Sequence, residues 1–212
     1  MDAGLRAEFL RRKDKDQAAR FGEDAEAIWA VDAENLPWLK RVVAEHGWPG
    51  KSLVGADGAF AAWLLVQHAD RDPAFQRQCL ELITAAADLG EATRAQLAYL
   101  TDRVLLAEGQ PQVYGTQAIG RDGRFAARKL RDPDGVDERR ASAGLEPLAA
   151  YLASMLDSYG PPKPLMVTCQ ACRAGVPFWP PDDPADNISV TAACPACGET
   201  ATVTFNVRAR AD

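Results

Sequence analysis

The sequence predicts two modules: a mainly α domain with a small β-hairpin over residues 1–160, then a small all-β domain over 161–212. Three observations predict it. Before residue 160, apolar residues recur at helical spacing among Ala, Arg, Asp and Glu. Tyr159-Gly160-Pro161-Pro162 reads as a helix stop followed by a stiff linker. After the linker come β-branched residues in alternation and four cysteines in two close pairs.

The elements follow in order. Leu5 to Arg20 is a charged, moderately amphipathic helix. Glu23 to His46 is helical, with a break or kink expected near Asn35-Leu36-Pro37, because an interior proline loses a hydrogen bond and clashes with the preceding turn. Leu36, Leu39, Val42 and Val43 form its stripe, and Gly47-Trp48-Pro49-Gly50 ends it. Asp57 reads as the N-cap of a helix from Gly58 to Ala69. Asp72-Pro73 is a stronger start signal, a capping aspartate with proline at the first helical position. That helix runs to Asp88 and stops at Gly90. Glu91 to Glu108 follows, with Leu97, Leu100, Val104 and Leu105 on one face. Residues 112–130 then read as a hairpin turning at Arg121-Asp122-Gly123, since Asp-Gly favours a tight turn. Short helices over Val136–Ala143 and Pro147–Ser158 close the module.

The small module carries Cys169-Gln-Ala-Cys172 and Cys194-Pro-Ala-Cys197, separated by 21 residues. Each pair lets two thiolates meet one ion while backbone amides point at the sulfurs. Two pairs complete a tetrahedral shell with metal–sulfur distances of about 2.3 Å. This spacing predicts a zinc ribbon holding one structural Zn²⁺. Four thiolates leave no open position for a water, so hydrolysis at the ion is not expected. Val203, Phe205 and Val207 alternate with Thr202, Thr204 and Asn206 as a strand does, and Ile188 and Val190 behave alike. Trp179, beside Pro177, Pro180 and Pro181, is a candidate contact residue; the alternative is that Trp179 and Phe178 cover the small core. The ribbon's cations are Lys163, Arg173, Arg208 and Arg210. The fifth cysteine, Cys79, reads as a small core residue.

The net charge of −6 argues weakly against a protein whose main task is to hold a phosphate backbone. The first residues lack the apolar core of a secretory signal, and no apolar run approaches the roughly 20 residues of a membrane helix. The expectation is a cytoplasmic protein outside the membrane, where thiols stay reduced and paired cysteines point to metal.

One stretch draws attention for chemistry. On a helix from Gly58 to Ala69, Phe60, Trp63, Leu64, Gln67 and His68 share a face, so Gln67 and His68 continue an apolar stripe inward. Histidine titrates near neutral pH and can pass a proton either way, so His68 is the candidate general acid/base, with Asp70 or Asp72 to orient it. The competing reading makes His68 a helix-end cap. Four further features accompany it. Asp32 and Asn35 lie one turn apart, Trp48 sits in a tight turn, Tyr114-Gly115-Thr116-Gln117 places three hydrogen-bonding side chains around a glycine, and Arg139-Arg140 pairs two cations. Each has a plain alternative: caps for Asp32 and Asn35, core for Trp48, a solvated face for the arginines. The candidate set is therefore His68 and Tyr114 for chemistry, with Gln67, Gln117, Arg103, Arg140, Asp32, Asn35 and Trp48 for ligand binding. No phosphate-binding glycine loop, nucleophile elbow, zincin motif or dinucleotide fingerprint is present.

Residues 1–157 resemble a family of uncharacterised, mostly actinobacterial helical proteins known as a domain of unknown function. The resemblance rests on Asp32 with Asn35, Glu45-His-Gly-Trp-Pro49, Ser52-Leu-Val-Gly55, Ala61 to Asp70, Phe75-Gln76, Ala98 to Arg103, Tyr114 to Gln117, and Val136-Asp-Glu-Arg-Arg140 with Gly144 to Leu152. It implies no reaction. The chain departs from the pattern at Pro37 and adds the ribbon. Two functions fit: a domain that binds a small molecule or peptide, as an enzyme with His68 as base or as a binder, carrying a structural ribbon; or a regulatory adaptor whose ribbon binds protein or nucleic acid.

Overall fold

A computed structural model describes residues 1–22, 24–179 and 188–205. The expected helix start at Glu23 and the readings of Pro180, Pro181, Asn206, Val207, Arg208 and Arg210 lie outside the described residues. The architecture is mainly helical with small antiparallel hairpins, and the cysteine-rich strands form the small all-β end expected. The chain divides into two compact units, Met1–Val104 and Leu105–Asp212. No described helix is long and apolar enough to cross a membrane.

Local capping chemistry sets the helices of the first unit. Helix α1 (Ala3–Phe21) begins at Asp2, whose carboxylate accepts from Leu5 N at 2.8 Å. Helix α2 (Ala25–His46) begins at Asp24, which accepts from Glu26 N and Ala27 N. Contrary to the expected break, α2 runs unbroken through Pro37. One missing amide is a local loss, and the packing of Leu39, Val42 and Val43 beyond it holds the second half in line. Helix α3 spans Lys51–Gln67 but changes direction at Gly55, where φ is 74° and ψ 169°. It therefore starts earlier than expected, and Asp57 sits just past the bend, accepting from Gly58 N and pairing with Arg6. Glu91 caps the start of α3 by accepting from Ser52 N at 2.7 Å. Helix α4 (Pro73–Asp88) begins as expected at Asp72, which accepts from Phe75 N at 2.9 Å. It ends at Gly90, φ 76°, where Glu91 N returns to Ala86 O. Helix α5 (Arg94–Ala107) starts three residues later than expected. Thr93 and Gln96 form a reciprocal capping box, side chain to backbone in both directions at 3.0 and 2.9 Å.

The core of this unit gathers Phe9, Leu39, Val54, Leu65, Val66, Phe75, Cys79, Ile83, Leu100 and Val104. The buried residues of α3 are Val54, Gly58, Ala59, Ala61, Ala62, Leu65, Val66 and Gln67, so Gln67 points inward as expected. The expected stripe is thus rotated: Phe60 is 46% exposed, and Trp63 is half-buried, sending its Nε1 to Gln96 O at 3.0 Å. The small residues explain the rotation. A Cβ at Gly58 would stand 2.9 Å from Val54 and 3.3 Å from Arg6 of α1, so the slim face is where α1 approaches.

In the second unit, β1 (Ala118–Arg121) and β2 (Arg124–Ala127) pair in the expected hairpin. Asp122 and Gly123 both take positive φ, as a two-residue primed turn requires. Gln112 anchors its base. Fully buried, it donates through Nε2 to the carbonyls of Gln117 and Arg128 and accepts from Gln117 N. Helices α6 (Val136–Ser142) and α7 (Leu148–Tyr159) follow, and α7 ends at Gly160 with φ 69°. Two further hairpins complete the unit: β3 (Leu165–Thr168) with β4 (Gly175–Phe178), and β5 (Ile188–Ala193) with β6 (Thr200–Phe205).

Candidate functional site

His68 is the C-cap of α3, its backbone N–H bonded to Leu64 O and Leu65 O. The cap reading is therefore correct for its main chain. Its side chain does something else. Nδ1 lies 3.0 and 2.9 Å from the two oxygens of Asp16, on α1. Asp16 is 1% exposed, and it also accepts from Arg20 Nε at 3.1 Å and from Gln17 Nε2 at 2.8 Å. Arg20 extends the chain, donating through Nη2 to Asp32 at 2.6 Å. Arg20 Nε also stands 2.9 Å from His68 Nδ1.

Nδ1 therefore faces two acceptor oxygens of Asp16 and the Nε–H of Arg20, and whether it donates to the carboxylate or accepts from the guanidinium depends on the ring tautomer. Nε2 has no hydrogen-bond partner among the described residues, and the side chain is 16% exposed. The carboxylate that meets the ring is Asp16. Neither adjacent candidate serves: Asp70 is bound by Arg103 at 2.8 Å through both oxygens, and Asp72 caps α4 and pairs with Lys40.

The two carboxylates are driven apart. Burial pushes the Asp16 carboxyl up, but the hydrogen bond and charge of His68, with Gln17 and Arg20, outweigh it and hold Asp16 below its ordinary value. Burial dominates at Asp32, which lies above its ordinary value despite Arg20, with the Asp16 charge adding to the rise. A buried anion thus backs the imidazole, and a second carboxyl that takes a proton more readily stands one guanidinium away.

Gln67 does not join His68. Its Oε1 accepts from Arg103 Nε at 3.1 Å, and Gln76 Nε2 reaches Gln67 O and Asp70 in the same network. Asn35 accepts from Arg12 Nη1 at 3.0 Å. Four of the residues singled out from sequence, Asn35, Trp48, Gln67 and Arg140, each carry a buried polar nitrogen without a partner among the described residues. Each such atom costs of order 1–3 kcal/mol, and each marks a place where packing has not been fitted to polarity alone. Cys79 is fully buried, as expected, and burial pushes its thiol up to about 12, so it is not a nucleophile near neutral pH.

The remaining predicted residues lie in the second unit. Arg140 is 0% exposed, donates to Glu146 O at 2.6 Å and Tyr114 O at 2.8 Å, and stacks on Tyr151. Arg139 donates to Val113 O and pairs with Asp132, so this cation pair grips the 113–114 loop and is not the solvated face considered above. Gly115 takes φ 70° where a Cβ would meet Leu148 at 3.0 Å. Thr116 O accepts from Tyr151 at 2.8 Å, and Gln117 Nε2 donates to Thr116 Oγ1 at 3.2 Å.

The four ribbon cysteines come together at the tips of the two last hairpins. Their sulfurs lie within 4.8 Å of one another, with Cys169–Cys197 at 3.7 Å and Cys172–Cys194 at 3.6 Å. The two loops repeat one geometry. The residue after each second cysteine, Arg173 or Gly198, takes positive φ and returns its N–H to the carbonyl of the first. The amides of Ala196 and Cys197 face Cys194 and help hold it at about 7; those of Ala174 and Glu199 face Cys172 and Cys197. Thiols gathered this closely, with amides aimed at the sulfurs, fit one tetrahedral metal ion. Phe178 and Val176 form the small core beneath, as expected for Phe178.

No curated protein and no solved structure matches the chain. A family model does, over residues 10–163, which takes in α2 to α7 and most of α1 but ends before the first cysteine pair. The chain belongs to this family, a family of unknown function (DUF6624).

Proposed function

We propose that the first unit is an acid–base catalytic domain acting on a small molecule, with His68 as the proton-transfer group and Asp16 as its orienting anion. The observation that carries it is the Asp16–His68 pair with Nε2 left unbonded. A buried carboxylate on Nδ1 fixes the tautomer and stabilises the imidazolium that forms when Nε2 takes a proton. Arg20 positions Asp16 and ties it to Asp32. The ribbon, starting after the linker at about residue 160, holds one structural Zn²⁺ on Cys169, Cys172, Cys194 and Cys197, and the protein works in the cytoplasm.

The test is a thermal-shift screen of small metabolites on wild type and His68→Ala. A compound that stabilises wild type and not the variant, both folded by circular dichroism, supports the site. Equal stabilisation of both by every hit would sink it. A second reading is favoured by Leu165 and Met166, which stand exposed on β3. Under it, the ribbon docks a protein or nucleic acid. Partner binding that vanishes on deleting residues 161–212, with His68→Ala unaffected, supports that reading against the first.

A further inference from the structure

The chemistry that would bring a substrate to His68 can be read from Arg71, three residues further along. Its guanidinium carbon lies 3.7 Å from the centroid of the Trp29 ring. Trp29 is one helical turn before Asp32 on α2, and Asp32 is bonded to Arg20, which touches His68. Residues three apart on a helix are neighbours, about 5–6 Å between Cβ atoms. The Trp29–Arg71 stack therefore adjoins the Asp32–Arg20–Asp16–His68 chain.

Arg71 is flanked in sequence by two aspartates, and neither pairs with it. Asp70 is held by Arg103, and Asp72 caps α4 and binds Lys40. No carboxylate pairs with Arg71 among the described residues. Trp29 occupies one face of the guanidinium and restrains its orientation, while the in-plane N–H groups stay available. A stacked, pre-oriented fork of this kind suits a bidentate anion and loses little freedom on binding.

We propose that Arg71, laid on Trp29, is the anion-binding residue of this site, and that the ligand is a small molecule bearing a carboxylate or phosphate group. The assignment rests on the acid–base reading for what His68 then does to the ligand, but anion binding can be measured by itself. The experiment is an NMR titration of the full chain with inorganic phosphate and, separately, with succinate, at constant ionic strength in chloride. The Arg71 Nε–H and the His68 ring resonances are followed.

The expected result is a saturable shift of both with at least one anion, and which anion binds separates the phosphate from the carboxylate class. Arg71→Gln should weaken binding by about tenfold or more, as loss of a charge-assisted pair implies. Arg71→Lys keeps the charge without the fork and should recover only part. Circular dichroism checks that both variants fold. Anion binding kept in His68→Asn but lost in Arg71→Gln supports the proposal, even if no proton transfer at His68 is ever found. No saturable shift with either anion overturns it, as does Arg71→Gln binding like wild type. Loss in His68→Asn alone would place the anion on the imidazolium and also overturn it.

Discussion

Asp16→Asn is the substitution that the structure constrains most. The carboxylate is buried and has three partners: His68 Nδ1, Arg20 Nε and Gln17 Nε2. Asparagine keeps the shape but turns one oxygen into a donor, which must face another donor, and it removes the charge between an imidazole and a guanidinium. Hydrogen bonds to charged groups contribute about 1.5–3 kcal/mol each. Two of them are impaired, while Arg20 is partly exposed and recovers some of its share from water. The expected loss is therefore about 2–4 kcal/mol at neutral pH, within the range for breaking a buried pair. At about 2–4 °C per kcal/mol for a chain of this size, Tm should fall by roughly 5–15 °C.

Urea unfolding followed by circular dichroism measures the loss, and Asp16→Asn/His68→Asn completes a double-mutant cycle with an expected coupling of about 1–2 kcal/mol. The pH dependence has a definite sign. The native Asp16 carboxyl lies below its ordinary 3.8, so it binds protons less readily than in the unfolded chain. Its contribution is complete above the unfolded value and fades as pH falls through the native one. The gap between wild type and Asp16→Asn should be full at pH 7 and shrink below about pH 4. A variant within about 0.5 kcal/mol of wild type at pH 7, or a gap that widens in acid, would refute the dyad.

Four other outcomes follow from the same geometry. Purified protein should contain one zinc per chain by elemental analysis, and Cys172→Ser with Cys197→Ser should abolish it; a folded, metal-free wild type contradicts the assignment. Gly50→Ala should cost about 1–2 kcal/mol in chemical denaturation, because the new Cβ would stand 2.6 Å from Glu91 Oε2 and displace the cap of α3. Gly120→Ala should cost about 1–3 kcal/mol, since its Cβ would lie 2.3 Å from Pro162 Cβ, and thermal unfolding reads the effect. Cys79 should resist iodoacetamide at pH 8 in the native protein and react after urea, as a thiol pushed to about 12 by burial requires.

Signals that act within a few residues were legible in the sequence. Asp72-Pro73 starts α4, Asp122-Gly123 turns the hairpin, and each cysteine pair sits on a hairpin tip, because each depends on its own neighbours. The Thr93–Gln96 capping box is equally local, and it sets the start of α5 three residues beyond Glu91. The partner of His68 was not legible in this way. Asp16 lies 52 positions away, on a helix whose charge density reads as a solvated surface. A signal existed nonetheless. Phe9 and Asp16 are the two buried residues of α1, and they are seven apart, two turns along one face. A carboxylate on the apolar stripe of an otherwise charged helix must be paired.

Gln67 and His68 illustrate how neighbours in sequence take different partners on a helix. As neighbours on a helix they point about 100° apart, so one stripe cannot hold both in the same contacts. Gln67 turns to Arg103 of α5, and His68 turns to Asp16 of α1. The division has a mechanical consequence. The end of α3 is held on two sides, Gln67 by Arg103 and His68 by Asp16. The imidazole is thus held at Nδ1 on a helix end contacted by both α1 and α5. Under the proposed acid–base role, an imidazole held in this way would have its proton-transfer geometry set before any ligand arrives.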